Sequence, residues 1–357
     1  MVNTSTLPAS LWSALGLMPA DELSWLSRQA GFAVPAALLM RAVHRAMGAT
    51  AMDTPPPASA IAALRSGWVQ LLRDDVADAN EGIYPSSLLT LPTRDVLSLL
   101  PRFLAAVPSV VSRARRRDHS VDDVAGVDAG PVDLPAYYRR AFHWQTDGWL
   151  SERSAQLYEP SVELLFGGAA APMRRRALRP LVQSLRGRKR PRVVDVACGA
   201  GGFLKQVAAA VPAAHLYGYD LSASYVAHAR RALARAGVAA DVGVENAEAL
   251  PLKDGAVDAA TCVFLFHELP RQARRQVASE LHRILVPGGT AIIVDAAQQH
   301  SSPALAPFLD AFATTYHEPY FRSYQLDPLE ELLQEVGFTV TSASTSFVSR
   351  VVVARRF

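Results

Sequence analysis

The chain has 357 residues, half of them hydrophobic and 19% charged, enough apolar material for two or three folded units. That composition excludes a disordered or collagen-like chain, and two cysteines, Cys198 and Cys262, exclude a disulfide scaffold. Lys and Arg outnumber Asp and Glu by 36 to 33, and a formal charge of +3 is too weak a field to suggest a nucleic-acid partner.

Residues 1–112 show helical spacing interrupted by prolines, at Leu11–Leu17, Leu23–Gly31, Pro35–Met47, Ala58–Arg73 and Arg94–Arg113, and read as a small helical domain. No Lys or Arg precedes Arg28, which makes a poor secretory signal. No uncharged apolar run reaches about 18 residues, so stable membrane insertion is not expected and a reduced, cytoplasmic setting is the default. The stretch Leu88–Val111 could lie on a membrane surface, but a core helix followed by a solvated basic turn is the simpler reading. Residues 113–134, an arginine cluster followed by Asp and Gly, read as an exposed linker.

Residues 135–185 form an aromatic-rich bridging segment expected to cover an active site. Tyr137, Tyr138, His143, Trp144, Trp149 and Tyr158 combine apolar walls with placed polar groups, as a ligand pocket does; rings packing two domains together would explain them equally well.

Residues 186–357 alternate strands and helices. Strands are expected at Arg192–Val196, His215–Asp220, Asp241–Glu245, Val257–Phe264 and Thr290–Asp295, and helices at Phe203–Val211, Ser222–Ala236, Arg271–Leu285, Ala304–Thr315 and Pro328–Val336. Thr339–Phe347 and Arg350–Arg355 are nearly contiguous and must form an antiparallel hairpin. The fold class is therefore α/β, a parallel sheet with helices on both faces and its ligand beyond the carboxyl ends of the strands.

The first strand runs into Asp195-Val196-Ala197-Cys198-Gly199-Ala200-Gly201-Gly202, where glycines let backbone approach a ligand at a helix start. The lysine of a phosphate loop is absent. Asp220 ends the second strand, where a carboxylate can accept both hydroxyls of a ribose. Asn246-Ala247 follows the third strand, Phe264-Leu265-Phe266-His267-Glu268 closes the fourth, and Pro287-Gly288-Gly289 precedes the fifth.

In order and spacing, these motifs resemble the class I S-adenosylmethionine (SAM) dependent methyltransferases, in the small-molecule branch similar to the ubiquinone/menaquinone enzymes. The resemblance covers about Arg192 to Phe357 and implies a Rossmann-like seven-stranded sheet with an antiparallel last strand. It also implies SAM as cofactor, with Asp195, Ala197, Gly199, Gly201, Asp220, Leu221, Asn246, Ala247 and Phe264 around it. Ala197 departs from the family's first glycine, and Asn246 from the commoner Asp.

Methyl transfer to a small-molecule metabolite is then the expected activity. Alternatives are a SAM-consuming enzyme that transfers the aminocarboxypropyl group or cyclises SAM, and a SAM-binding regulatory or scaffold protein. His267, just past the fourth strand, is the favoured general base, with His143 and Tyr138 as further catalytic candidates. Tyr137, Trp144, Trp149, Tyr158, Tyr316 and Tyr320 are expected to line the acceptor pocket, the last two on an insertion at Thr314–Tyr324 read as a lid or a dimer contact. His143, His267 and Glu318 could hold a metal, but no HxxxH-type spacing supports it and none is expected. A homodimer is possible.

Overall fold

A computed structural model describes residues 19–48, 55–91, 93–116, 134–139, 142–143 and 147–357. The expected helix at Leu11–Leu17, the pocket residue Trp144 and most of the 113–134 linker lie outside the described residues.

Among the described residues, three long helices come first: α1 (Ala20–Met47), α2 (Ala58–Asn80) and α3 (Thr93–Arg116). The sequence suggested a break at Pro35, yet α1 runs through it. α3 likewise runs through Pro101 and Pro108. The arginine cluster is not an open linker at its start: Arg113 is buried and Arg115 Nε donates to the Ala46 carbonyl at 2.7 Å, capping the carbonyl end of α1. By length and composition the stretch Ser86–Arg116, which contains an 18-residue window of mean hydropathy 1.4, is long and apolar enough to cross a membrane. Counting uncharged runs missed it, because an average tolerates isolated charges such as Arg94 and Arg102. Leu97 and Leu104 on α3 are exposed.

Among its described residues the bridging segment holds three helices that the sequence reading did not place: α4 (Glu152–Leu165), α5 (Ala170–Arg175) and α6 (Leu178–Ser184). Ser151 caps α4 by accepting from the Ser154 N–H at 3.0 Å. From here the expected alternation follows: β1 (Arg192–Val196), α7 (Gly202–Ala210), β2 (His215–Asp220), α8 (Ala223–Arg235), β3 (Asp241–Val244), β4 (Val257–Val263), α9 (Arg271–Ile284) and β5 (Leu285–Ala296). Helices α10 (Ala306–Thr315), α11 (Phe321–Gln325) and α12 (Leu329–Glu335) precede the hairpin β6 (Phe338–Ser346) and β7 (Ser349–Arg356).

The seven strands form one sheet in the order β3-β2-β1-β4-β5-β7-β6, with β7 antiparallel to both of its neighbours. Val193, Val194 and Val196 are fully buried, as a central parallel strand covered on both faces requires. β5 starts at Leu285, ahead of the expected Thr290, and its pairing with β4 shifts register between Val257 and Ala259, so Pro287-Gly288-Gly289 is absorbed as a bulge.

The leading helices are fastened to the sheet half by a buried ion pair. Arg175 donates to both carboxylate oxygens of Asp75 on α2, Nε at 2.7 Å and a terminal nitrogen at 2.6 Å, and the Tyr84 hydroxyl donates to the same carboxylate at 2.7 Å. Neither charged side chain is more than 2% exposed.

Candidate active site

The carboxyl ends of β1, β2 and β4 open into a crevice of about 990 Å³. Asp195, Ala197, Gly199, Asp220, Leu221, Asn246, Ala247 and Phe264 line it, so eight of the nine expected cofactor contacts share one cavity. Gly201, the ninth, supports the turn instead. It sits at φ 81°, and a Cβ there would come within 3.1 Å of Ala229 Cβ on α8. The left-handed backbone and this close approach both need glycine. Gly201→Ala should therefore destabilise the fold by at least about 1–2 kcal/mol, read as a lowered urea midpoint; an unchanged midpoint would contradict this packing.

Ala197 is also left-handed at φ 58°, the physical reason glycine is favoured at that position in the family it resembles. Asp220 holds the turn in place. Its Oδ2 accepts from the Gly199 N–H and its Oδ1 from the Ser222 N–H, each at 2.9 Å. These bonds leave outward lone pairs on each oxygen for a diol. Burial pushes the Asp220 carboxyl up to about 6, against the opposing effect of those two N–H donors. Asp195, which accepts from the Thr261 hydroxyl at 2.8 Å, is raised by burial to about 7. Asn246 is partly engaged: its Oδ1 accepts from the Glu248 N–H at 2.9 Å, leaving one lone pair for a further donor.

The Asp195 shift has a sign that can be checked. A carboxyl with a folded value near 7 and an ordinary value of 3.8 binds its proton more tightly in the folded state, so its ionisation destabilises the fold as pH rises through that interval. Asp195→Asn should melt higher than the parent at pH 8, and the gap should close below about pH 5. A gap that does not narrow on acidification would contradict it.

The aromatic candidates separate. Trp149 stacks on Phe142 at 5.9 Å and meets Tyr158 and Tyr225 edge-on at 5.4 and 5.9 Å, forming one wall of the crevice. Tyr137 and Tyr138 line the same crevice. Burial and the nearby Asp220 carboxylate push the Tyr138 phenol well up, so it can donate a hydrogen bond but is unsuited to give up its proton. Tyr316 lies elsewhere, in a neighbouring apolar cavity where its hydroxyl meets His44 Nε2 at 2.5 Å. Tyr320 packs beside the Phe142–Trp149 cluster and is not among the residues lining the three cavities.

A second chamber, of about 770 Å³, adjoins the crevice across Phe264, Tyr158 and Glu268, which line both. The Thr314–Tyr324 insertion and α10 wall it with Phe308, Phe312, Glu318 and Phe321. Beyond it a third cavity of about 1130 Å³ extends between α1, α3 and α4, sharing His143, Tyr158, Val162 and Leu165.

His267 lines this second chamber, not the cofactor crevice. Its Nδ1 pairs with Asp295 Oδ1 at 2.6 Å, and Asp295 also accepts from the N–H groups of Leu265, Phe266 and Ala296. Burial pulls the imidazole down but the Asp295 carboxylate more than offsets it, raising it to about 10. The Asp295 carboxylate thus favours the protonated imidazole, a form that does not suit the general-base role expected of His267. His143, left-handed at φ 52°, stands 3.3 Å from Glu318 and 3.9 Å from Glu268. Sequence reading passed over Glu268 and Asp295. Each stands at or just past the carboxyl end of a central strand, the signal that could have found them.

Residues 193–289 match the family model described as a methyltransferase domain. The sequence is 32% identical over 142 residues to the demethylmenaquinone methyltransferase of Thermus thermophilus, covering 40% of this chain and 61% of that one. It is 33% identical over 163 residues to the ubiquinone/menaquinone biosynthesis C-methyltransferase of Methylobacterium nodulans, covering 44% and 62%. Residues 193–289 are a methyltransferase domain. The chain spans about three fifths of the length of these curated relatives. Among solved structures, a SAM-dependent methyltransferase from Methanosarcina mazei aligns with a TM-score of 0.40 and 20% identity, over 50% of this chain and 97% of that one.

The residues present suit this domain's cofactor. Asp220 offers unfilled lone pairs at the ribose position, the Ala197–Gly201 turn brings backbone to the cavity floor, and the Trp149–Tyr158 wall presents aromatic rings to a sulfonium. The methyltransferase domain thus keeps eight of its expected contacts in one crevice and its candidate histidines in the chamber next door.

Proposed function

We propose that the protein transfers a methyl group from SAM to a small, largely apolar acceptor bound in the second chamber. The observation that carries this reading is the shared wall: Phe264, Tyr158 and Glu268 border both cavities, so donor and acceptor meet without crossing solvent. SAM supplies an activated methyl group. The chain aligns the reactants and excludes water, as an in-line displacement chiefly requires. Asp220 and the Ala197–Gly201 turn hold the adenosyl end. The phenylalanines of the insertion surround the acceptor body, and His143 with Glu268 and Glu318 receives its polar end. The curated relatives are named for quinone methylation, which supports an oxygen-bearing ring as the acceptor.

The test is product analysis with SAM and a panel of hydroquinones and phenols. S-adenosylhomocysteine with a methylated ring compound supports the reading. Methylthioadenosine would show that the cofactor is cleaved at another bond, and unaltered SAM across the panel would count against turnover of this acceptor class.

A further inference from the structure

We propose that His143, Glu268 and Glu318 form a binding site for a divalent first-row transition-metal ion at the border between the two cavities. One donor atom from each of the three falls within 4.8 Å of the others. His143 Nε2 stands 3.3 Å from one oxygen of Glu318 and 3.9 Å from one of Glu268, and His267 Nε2 lies 3.8 Å from that Glu268 oxygen. Ligands around an ion at about 2.1 Å sit roughly 3.0–3.4 Å from one another, so small side-chain shifts close the set. An imidazole with two carboxylates suits Zn²⁺, Fe²⁺, Co²⁺ or Mn²⁺ better than Mg²⁺.

Glu318 is the independent observation. Its side chain is wholly buried, yet neither carboxylate oxygen accepts a hydrogen bond. A buried carboxylate left so is costly unless a cation completes it, and His143 is the positive partner at hand. The surroundings fit an ion better than a simple pair. Asp295 grips His267 Nδ1 at 2.6 Å, the outer arrangement that fixes an imidazole with its Nε2 turned to a metal. Glu268 faces the cofactor crevice as well as the chamber, so an ion here would stand where an acceptor oxygen meets the methyl group. That role toward the acceptor rests on the methyl-transfer reading; the binding site does not.

The probe is CoCl2, added to full-length protein freed of metal by chelation. One Co²⁺ should bind per chain, with visible absorption of a low-symmetry nitrogen- and oxygen-ligated ion and a raised melting temperature. Glu318→Gln and His143→Gln should each weaken Co²⁺ at least about tenfold, the loss that even an outer-shell change can bring. His215→Gln, at a surface pair remote from the site, should leave it unchanged. No stoichiometric Co²⁺ in the parent, or affinity retained in either site variant, overturns the proposal. Should a variant fold poorly, the parent's own Co²⁺-dependent melting shift and absorption decide. A SAM titration on the same sample reads the cofactor crevice separately: protein that binds SAM but not Co²⁺ refutes the metal site and leaves the methyl-transfer reading standing.

Discussion

Asp220→Ala should lower SAM affinity by about 100-fold or more in isothermal titration. Two hydrogen bonds from a ribose diol to a carboxylate are each worth about 1.5–3 kcal/mol, and 1.4 kcal/mol is tenfold in affinity. The substitution also frees the Gly199 and Ser222 N–H groups that the carboxylate holds at 2.9 Å, so the turn loses its clamp together with the diol. Asp220→Asn should fall between the two, because its amide oxygen can still accept while its NH2 faces at least one donor. Acidification should mimic the defect. With the free carboxyl near 6, SAM affinity should fall as pH drops below that value and level off above it. An Asp220→Ala protein that binds SAM as tightly as the parent would remove the ribose from this crevice.

The second large effect concerns stability. Asp75→Ala should destabilise the protein by about 3–5 kcal/mol in urea unfolding, because it leaves the Arg175 guanidinium buried without its counter-charge. The pair joins α2 to α5 with two hydrogen bonds of 2.7 and 2.6 Å, and Asp75→Ala also removes the carboxylate acceptor of the Tyr84 hydroxyl while leaving it the backbone carbonyl of residue 75. The double change Asp75→Ala with Arg175→Met should recover much of the loss, since the cost lies in the orphaned charge and not in the missing attraction. A single variant that loses under about 1 kcal/mol would show that water reaches Arg175 and that the leading helices are only loosely fastened.

The sheet half was legible in the sequence because its grammar is local. Short β-branched runs, the Asp195–Gly202 turn and the Ser222 cap mark their own boundaries, and the near-contiguous last two strands can only be a hairpin. Asp220 was legible for the same reason, as a carboxylate at a strand end. The leading helices were only partly so. Pro35 suggested a break, but a long helix carries it where neighbouring turns and packing compensate. Helices α4–α6 escaped the reading because α5 and α6 are only six and seven residues long and α4 carries Pro160 inside it. The histidine–glutamate cluster was legible only in part, through His143 and Glu318 but not Glu268. His143, Glu268 and Glu318 come from a loop, a strand end and an insertion, so no ligand spacing along the chain could announce them, whereas the fold sets them within one coordination sphere.

A crystal structure of the full chain with S-adenosylhomocysteine tests the central claim most directly. The account predicts the nucleoside in the β1–β2–β4 crevice, both ribose hydroxyls on Asp220 and the sulfur turned toward Phe264, Tyr158 and Glu268. A nucleoside bound elsewhere, or a crevice filled by the chain's own side chains at saturating concentration, would contradict it.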